Sequence, residues 1–434
     1  MSLDSRVVVT GMAVNTPLGD TLENYLTALV SGRSAISRWS SFQSDNIYSK
    51  IGGELANYDM LGKLDAIGKR REASTALRLA RRMLPKLPWS VGAAVTLSLD
   101  ALSDAGLSPG DIDAHHTAVV VGGHNLQNQY RLQNQHTFDD EPDFIDPLYA
   151  VHSHDTTHVG CVSAVLQARG TGILVGAACA SGAHALKVAV DEVRHHGARA
   201  AVVVCPPWDF APIDMQAMAL IGAISQDSFN DEPERASRPF DVRREGFVPA
   251  HGGAALIVES ADHAKERGAR VYAEILAVDT TSDGSYLPQP SEEGQTRAIQ
   301  RALTNAGLAP EQIDYVNGHF TSTPLGDVSE IKAIKSAFGR HAHHLKMNAT
   351  KSMIGHTLYS SAIVELVGAI LQMRSGRLHP SINIDEIDSA IDLDVCANES
   401  VDWPVRYFMK NAFGFGGLNA SIIVGHCDDI GIAR

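Results

Sequence analysis

Cysteine is scarce in this chain: five among 434 residues, at Cys161, Cys179, Cys205, Cys396 and Cys427. The number is odd, the spacings are long and no pair forms CxxC. This excludes a disulfide framework and a cysteine-rich zinc site, and it fits a reducing compartment such as the cytoplasm. Aromatic residues make up only 6% of the chain, and positive charge is in the minority, with 36 Lys+Arg against 50 Asp+Glu and a formal charge of −14. A general nucleic-acid binder needs a basic footprint and a single-strand binder needs stacking rings, so neither class fits. The longest uncharged apolar stretch, Thr171 to Leu186, contains His184 and ends at Lys187; it is too short and too polar for a membrane span. The opening MSLDSRVVVTG carries an early acid and no apolar h-region, so no signal peptide is expected.

What is present alternates. Arg6–Thr10, Thr117–Val121, Arg199–Val204, Ala254–Val258 and Ser421–Val424 are short β-branched runs that read as buried strands. Helix-like segments lie between them, among them Val91–Ala105, Ala183–Gly197 and Thr296–Gly307. The pattern implies an α/β fold with largely parallel sheets. The length suits two or three domains or one large duplicated one.

One repeat favours duplication. ALSDAGLSPGDID (101–113) and ALTNAGLAPEQID (302–314) share eight of thirteen positions at an offset of 201 without a gap. Each copy ends a helix at Ala-Gly-Leu and follows it with Pro, the expected stop chemistry. A weaker echo pairs Arg6–Thr16 with Arg270–Thr280. The expected halves are 1–262 and 263–434. Asn125–Asp155, rich in Gln, Asn, Asp and His, is the least regular region and reads as a functional or interface excursion.

Four segments carry chemistry. TGILVGAACASGAHALKVAV runs from a strand through Cys179 into a helix; such an elbow exposes a nucleophile at a helix N-terminus, where the dipole lowers a thiol pKa. DYVNGHFTSTPLGDVSE holds His319, Thr321 and Thr323, and MNATKSMIGHTLYSSAIVEL holds Lys351 and His356. KNAFGFGGLNASIIV offers a glycine-rich backbone around Phe415 and Gly416 that can approach a ligand closely. In this order the four closely resemble the β-ketoacyl-acyl-carrier-protein synthases (ketosynthases), as do SRPFD at Ser237–Asp241 and the opening VVVTGMAVNTPLG. The resemblance runs from about residue 6 to 425.

The resemblance implies a thiolase-like, five-layer αβαβα fold of two duplicated halves, a homodimer, no cofactor, and an acyl carrier protein delivering malonyl and acyl thioesters on a phosphopantetheine arm. By motif position Cys179 is similar to the acyl-accepting nucleophile, and His319 and His356 to the pair that stabilises the enolate formed as carbon dioxide leaves. Lys351 resembles the supporting lysine and Glu330 the carboxylate beside it. Thr321 and Thr323 resemble the pantetheine-holding threonines. Phe415, followed by Gly416, resembles the gating aromatic, whose N–H joins that of Cys179 in a second oxyanion hole. Lys69–Lys86 holds seven of the 36 basic residues; Lys69, Arg70 and Arg71 fall in the region the family uses near its pocket entrance, and the segment reads either as a solvated basic helix face or as a docking patch that steers an acidic carrier protein.

The chain also departs from the family pattern. The usual His-Gly-Thr is His319-Phe320-Thr321, which puts bulk beside the histidine, and the usual Gly-Gly-Thr-Asn is Gly416-Gly417-Leu418-Asn419. The usual Gly-Glu-Gly-Ala is Ala250-His251-Gly252-Gly253. The excursion looks more like free-standing ketosynthases of β-branching polyketide clusters, where members often only decarboxylate malonyl-carrier protein. Such decarboxylases usually carry Ser at the nucleophile position, whereas this chain keeps Cys179. Two readings therefore stand: condensation through Cys179, or malonyl-carrier decarboxylation. A chain-length-factor-like partner subunit would typically have lost the cysteine, and a metal hydrolase built on His152, His154 and His158 lacks the matching carboxylate spacing.

Overall fold

The computed structural model describes residues 6–41, 45–55, 58–70, 75–226 and 228–427. Ten strands form one mixed sheet: β1 (Val7–Asn15), β2 (Thr117–Gly122), β3 (Gly172–Val175), β4 (Ala200–Cys205), β5 (Gly253–Ser260), β6 (Ala273–Ser282), β7 (Tyr315–Asn317), β8 (Lys346–Asn348), β9 (Tyr407–Gly414) and β10 (Leu418–Gly425). Their order is β8-β7-β9-β10-β6-β1-β5-β4-β2-β3. Numbered within each half, both halves read third-second-fourth-fifth-first. The ladder directions match as well: third, second and fourth strands run parallel, while the fifth is antiparallel to its two neighbours. The halves meet where the two first strands pair antiparallel, Val7 opposite Ile275 and Val9 opposite Ala273. The weak echo in the sequence is thus the seam itself. The expectation of largely parallel sheets needs correction: parallel pairing is confined to three strands in each half. In the second half this follows from the tight Gly414–Gly417 turn, which folds β10 straight back along β9.

Side-chain alternation converts this sheet into layers. On β4, Val203 and Cys205 face one cluster and Val202 and Val204 another; on β9 and β10, Phe408 and Ile422 face the first, and Met409 and Ile423 a third. The shared first cluster holds the central helices α3 (Ser181–His195) and α6 (Ser361–Ser375). The outer cluster of the first half holds α1 (Trp89–Asp104) and α2 (Thr156–Leu166). That of the second half holds α4 (Glu292–Ala306) and α5 (Pro324–Phe338). The result is the expected five-layer αβαβα sandwich. Every residue of α6 from Ser361 to Met373 is buried, which is why the helix shows apolar residues all round rather than a stripe; each buried Leu or Ile there contributes ~1.5–3 kcal/mol. The repeated sequence is the end of α1 and of α4: Gly106 (φ 76°) and Gly307 (φ 66°) take the left-handed cap conformation, and a short 3₁₀ turn at Pro109 or Pro310 leads on to the second strand of each half.

The Asn125–Asp155 excursion is more regular than its composition suggests. It contains a helix, Asn128–Asp140, with no buried residue, and a short one, Tyr149–His152. His152 in the excursion and His158 just after it, in α2, have structural partners: His152 Nδ1 lies 3.2 Å from an Asp146 carboxylate oxygen and buried His158 Nε2 lies 3.1 Å from Ser90 Oγ. Among the described residues all five cysteines are free, and no helix is long and apolar enough to cross a membrane.

Candidate active site

Cys179 sits in the elbow between β3 and α3. Ala178 holds φ 46°, a left-handed conformation costly for a residue with a Cβ. Ser181 secures the elbow: its Oγ accepts from the Ala177 N–H at 2.8 Å and donates to the Ala178 carbonyl at 2.7 Å. The thiol is not poised as a thiolate, contrary to the expectation from the helix dipole. Burial pushes it up to about 11, against the opposing pull of the Lys351 charge and of the backbone N–H groups of Cys179 and Phe415. With the sulfur nearly out of water, desolvation outweighs the partial charge of a helix terminus. The two N–H groups nonetheless both reach the sulfur, which places them next to any carbonyl attacked there.

Both histidines have fixed tautomers. His319 follows β7, and the Lys351 ammonium donates to its carbonyl at 2.7 Å and reaches its Nδ1 at 3.4 Å. His356 Nδ1 accepts from the Leu358 N–H at 3.2 Å; Leu358 bends back at φ 53° to make that bond. In each ring Nδ1 is an acceptor, so the hydrogen-bond network assigns the proton to Nε2. His356 Nε2 is buried without a hydrogen-bond partner among the described residues. The ring centroids are 5.3 Å apart at 81°, and one nitrogen of each ring and the Cys179 sulfur lie within 4.8 Å of one another. Burial first, then the charges of Lys351 and Lys410, hold both imidazoles well below the usual histidine range. At neutral pH they are neutral N–H donors.

Beneath them lies a buried quartet of charges. Glu365, one turn into α6, is clamped between Lys351 Nζ and Lys410 Nζ, each at 2.6 Å. Lys410 also donates to the carbonyls of Gly318 (3.1 Å) and Asn411 (2.6 Å), and burial pushes it down to about 8. Glu330 accepts from the His319 N–H (2.9 Å), the Phe320 N–H (2.8 Å) and Asn411 Nδ2 (3.1 Å). Glu330 therefore orients the backbone of the histidine loop. The expectation that it sits beside Lys351 needs correction, because α6 starts directly behind His356 and brings Glu365 to that lysine instead. Glu365, Lys410 and Asn411 went unread in the sequence. The available signal was a single charge inside a wholly buried helix (SAIVELVGAI) and another inside a buried strand (YFMKNAFG), where an ionised group persists only when paired.

Cys179, His319, His356, Thr321, Thr323 and Phe415 all line one cavity of about 450 Å³. The two threonine hydroxyls are 3.0 Å apart, and Thr323 also caps α5 by accepting from the Gly326 N–H. Phe415 is 39% exposed in the β9–β10 turn, where Gly416 and Gly417 hold φ 80° and 71°. Phe320 also borders the cavity, but its ring packs into the outer core against Phe240, centroids 4.6 Å apart. Gly318 accommodates it, since a Cβ there would meet the ring at 2.0 Å. Lys69 and Arg70 are exposed at the end of helix Met60–Arg70 and do not line the cavity; Arg70 is ion-paired with the buried Asp100. Arg71 lies outside the described residues.

Comparison with known proteins agrees with this geometry. Family models described as beta-ketoacyl synthase, N-terminal domain and C-terminal domain, match residues 4–264 and 272–385. The chain is 32% identical over 427 residues to the 3-oxoacyl-[acyl-carrier-protein] synthase 2 of Coxiella burnetii, covering 98% of this chain and 99% of the relative. It is 33% identical over 430 residues to the polyketide biosynthesis malonyl-ACP decarboxylase PksF of Bacillus subtilis, covering 98% of each. A solved type II polyketide synthase complex, an acyl-carrier protein with its ketosynthase bound to the hexaketide, superimposes with a TM-score of 0.86 at 25% identity, covering 98% of this chain and all of that one.

Proposed function

The chain belongs to the β-ketoacyl synthase family, acyltransferases of the 3-oxoacyl-[acyl-carrier-protein] synthase type, and from that premise we propose how its residues divide the reaction. The malonyl thioester enters past Thr321 and Thr323 and sets its carbonyl oxygen between the Nε2–H groups of His319 and His356. As the carboxylate leaves as carbon dioxide, its electron pair passes into the thioester enolate, and two fixed neutral donors stabilise the charge where it develops. An acyl group held on Cys179 is then attacked by the enolate carbon; the C–C bond forms, the bond to sulfur breaks, and the N–H groups of Cys179 and Phe415 hold the transient oxyanion. Lys351, Lys410, Glu365 and Glu330 position His319. The observation that carries this reading is the convergence of two tautomer-fixed imidazoles and one thiol within 4.8 Å.

One observation favours the second reading, decarboxylation without extension: the thiol is held protonated by burial, while the two histidines are ready as they stand. The partner is an acyl carrier protein, with Lys69–Lys86 as its docking surface. The enzyme is a homodimer in the cytoplasm. In support, strand β3 ends the sheet with Gly172 and Ile173 exposed, an edge that natural sheets pair or cover. The test is peptide mass spectrometry after incubation with acyl- and malonyl-carrier protein. Condensation predicts an acyl adduct on the Cys179 peptide and a β-ketoacyl product; acetyl-carrier protein as the sole product, with Cys179 unmodified, decides for decarboxylation.

A further inference from the structure

A thioester attacked by Cys179 has its two ends fixed by the site. The pantetheine arm lies toward Thr321 and Thr323, and the carbonyl oxygen lies on the N–H groups of Cys179 and Phe415. The acyl chain must then extend to the far side of the sulfur. That side is packed with aromatic rings. Cys179 belongs to the same buried cluster as Trp208, Phe210 and Phe247, with Tyr359 against it. The rings brace one another: Trp208 to Phe210 at 5.5 Å, Trp208 to Tyr359 at 5.0 Å, and Tyr359 to His124 at 4.3 Å between centroids. Phe210 stacks on His251 at 4.5 Å. Among the described residues, the cavity at the thiol is lined by neither Trp208, Phe210 nor Tyr359, so it does not extend in among these rings, which pack in one cluster with Cys179.

The excursion after β2 holds the wall in place. Trp208 Nε1 donates to the Asn125 carbonyl at 2.8 Å, and the backbones of Leu126 and Gln129 bond to Asp209 at 3.0 and 2.9 Å. Asp155, at the far end of the excursion, accepts from the N–H groups of Asn125 (2.6 Å) and Leu126 (2.9 Å). A wall tied at both ends of a loop does not part for a chain as a mobile side chain would.

We propose that Trp208, Phe210 and Tyr359, braced by His124 and the Asn125–Asp155 excursion, close the acyl side of Cys179, so that this enzyme takes only acetyl- or malonyl-sized acyl groups. This rests on the reading of Cys179 as the acyl-bearing residue. It makes the enzyme one that works on the first units of a chain, or supplies them, and leaves long acyl thioesters to other condensing enzymes.

The test measures binding, separate from turnover. The acetyl and octanoyl amides of aminopantetheine, with nitrogen in place of the thioester sulfur, are titrated into wild type by calorimetry. The octanoyl amide is expected to bind about tenfold or more weakly than the acetyl amide, the scale of steric exclusion from a packed pocket. In Trp208→Ala the gap closes to within about threefold as the pocket is opened. Tyr359→Ala, which removes a half-buried ring, is the second variant should Trp208→Ala fail to fold. Octanoyl amide binding wild type as tightly as the acetyl amide, or an unchanged gap in a folded variant, overturns the proposal. Carbon dioxide release from malonyl-pantetheine by the same wild-type sample is read in parallel. Its absence would count against the reaction assigned to the histidines while leaving the binding comparison to decide the wall.

Discussion

The two halves share strand order, ladder directions and helix placement, yet the loops after their third strands do opposite things. After β3 the chain turns through Ala178 and presents Cys179 to a dry aromatic wall. After β8 it turns through Thr350 and delivers Lys351 and His356, with a buried ion-pair network behind them. The contrast persists one turn into the central helices: the fifth residue of α3 is Ala185, in the apolar core, and the fifth residue of α6 is Glu365, between two lysines. A duplicated scaffold thus places two loops face to face, and the side chains on each decide whether it serves as acceptor or as charge stabiliser. Topology sets where chemistry happens and leaves open which chemistry it is.

That division can be broken from either side. Glu365→Ala has a large expected effect on both stability and activity, because it strands two buried ammonium groups; a loss of ~3–5 kcal/mol is expected from chemical or thermal unfolding, together with loss of decarboxylation. The corresponding change in the other half, Ala185→Glu, would bury a charge with no lysine to meet it and is expected to prevent folding. Phe320→Ala sharpens the comparison differently. Its ring packs in the outer core, so it costs ~3–5 kcal/mol of stability, while carbon dioxide release per folded enzyme falls less than about tenfold because Glu330 still holds the histidine backbone. The thiol side is read by alkylation. With Cys179 raised to about 11, the thiolate fraction, and with it the rate of iodoacetamide modification at Cys179, rises about tenfold per pH unit between pH ~7 and ~9; a plateau near neutrality would mean that the thiolate is already formed. The smallest effect is at the surface. Lys69→Glu is expected to raise KM for malonyl-carrier protein about threefold, falling with salt, and to leave malonyl-pantetheine turnover unchanged.

Much of this was legible in the sequence, for identifiable reasons. The repeat at 101–113 and 302–314 is the same helix stop in each half, and Cys179, His319 and His356 lie in segments whose spacing is fixed by the strands before them. Two things were not legible. The thiol's protonation depends on how much of the sulfur is left in water, which no local pattern encodes. The supporting charges come from α6 and β9, far along the chain from the loops they steady, so Glu330 looked like the partner of Lys351 when Glu365 holds that place. Phe320 shows the same limit at one residue: a bulky side chain next to a histidine in sequence points into a different layer of the fold.

The most direct measurement compares acetyl-carrier protein formed from malonyl-carrier protein by two variants, one from each half. Cys179→Ser is expected to retain decarboxylation within about tenfold of wild type, and His319→Ala to lose about 10²–10³-fold, the cost of removing one donor from a developing oxyanion. Equal losses in the two variants, or decarboxylation surviving His319→Ala and vanishing with Cys179→Ser, would contradict the division of labour between the halves.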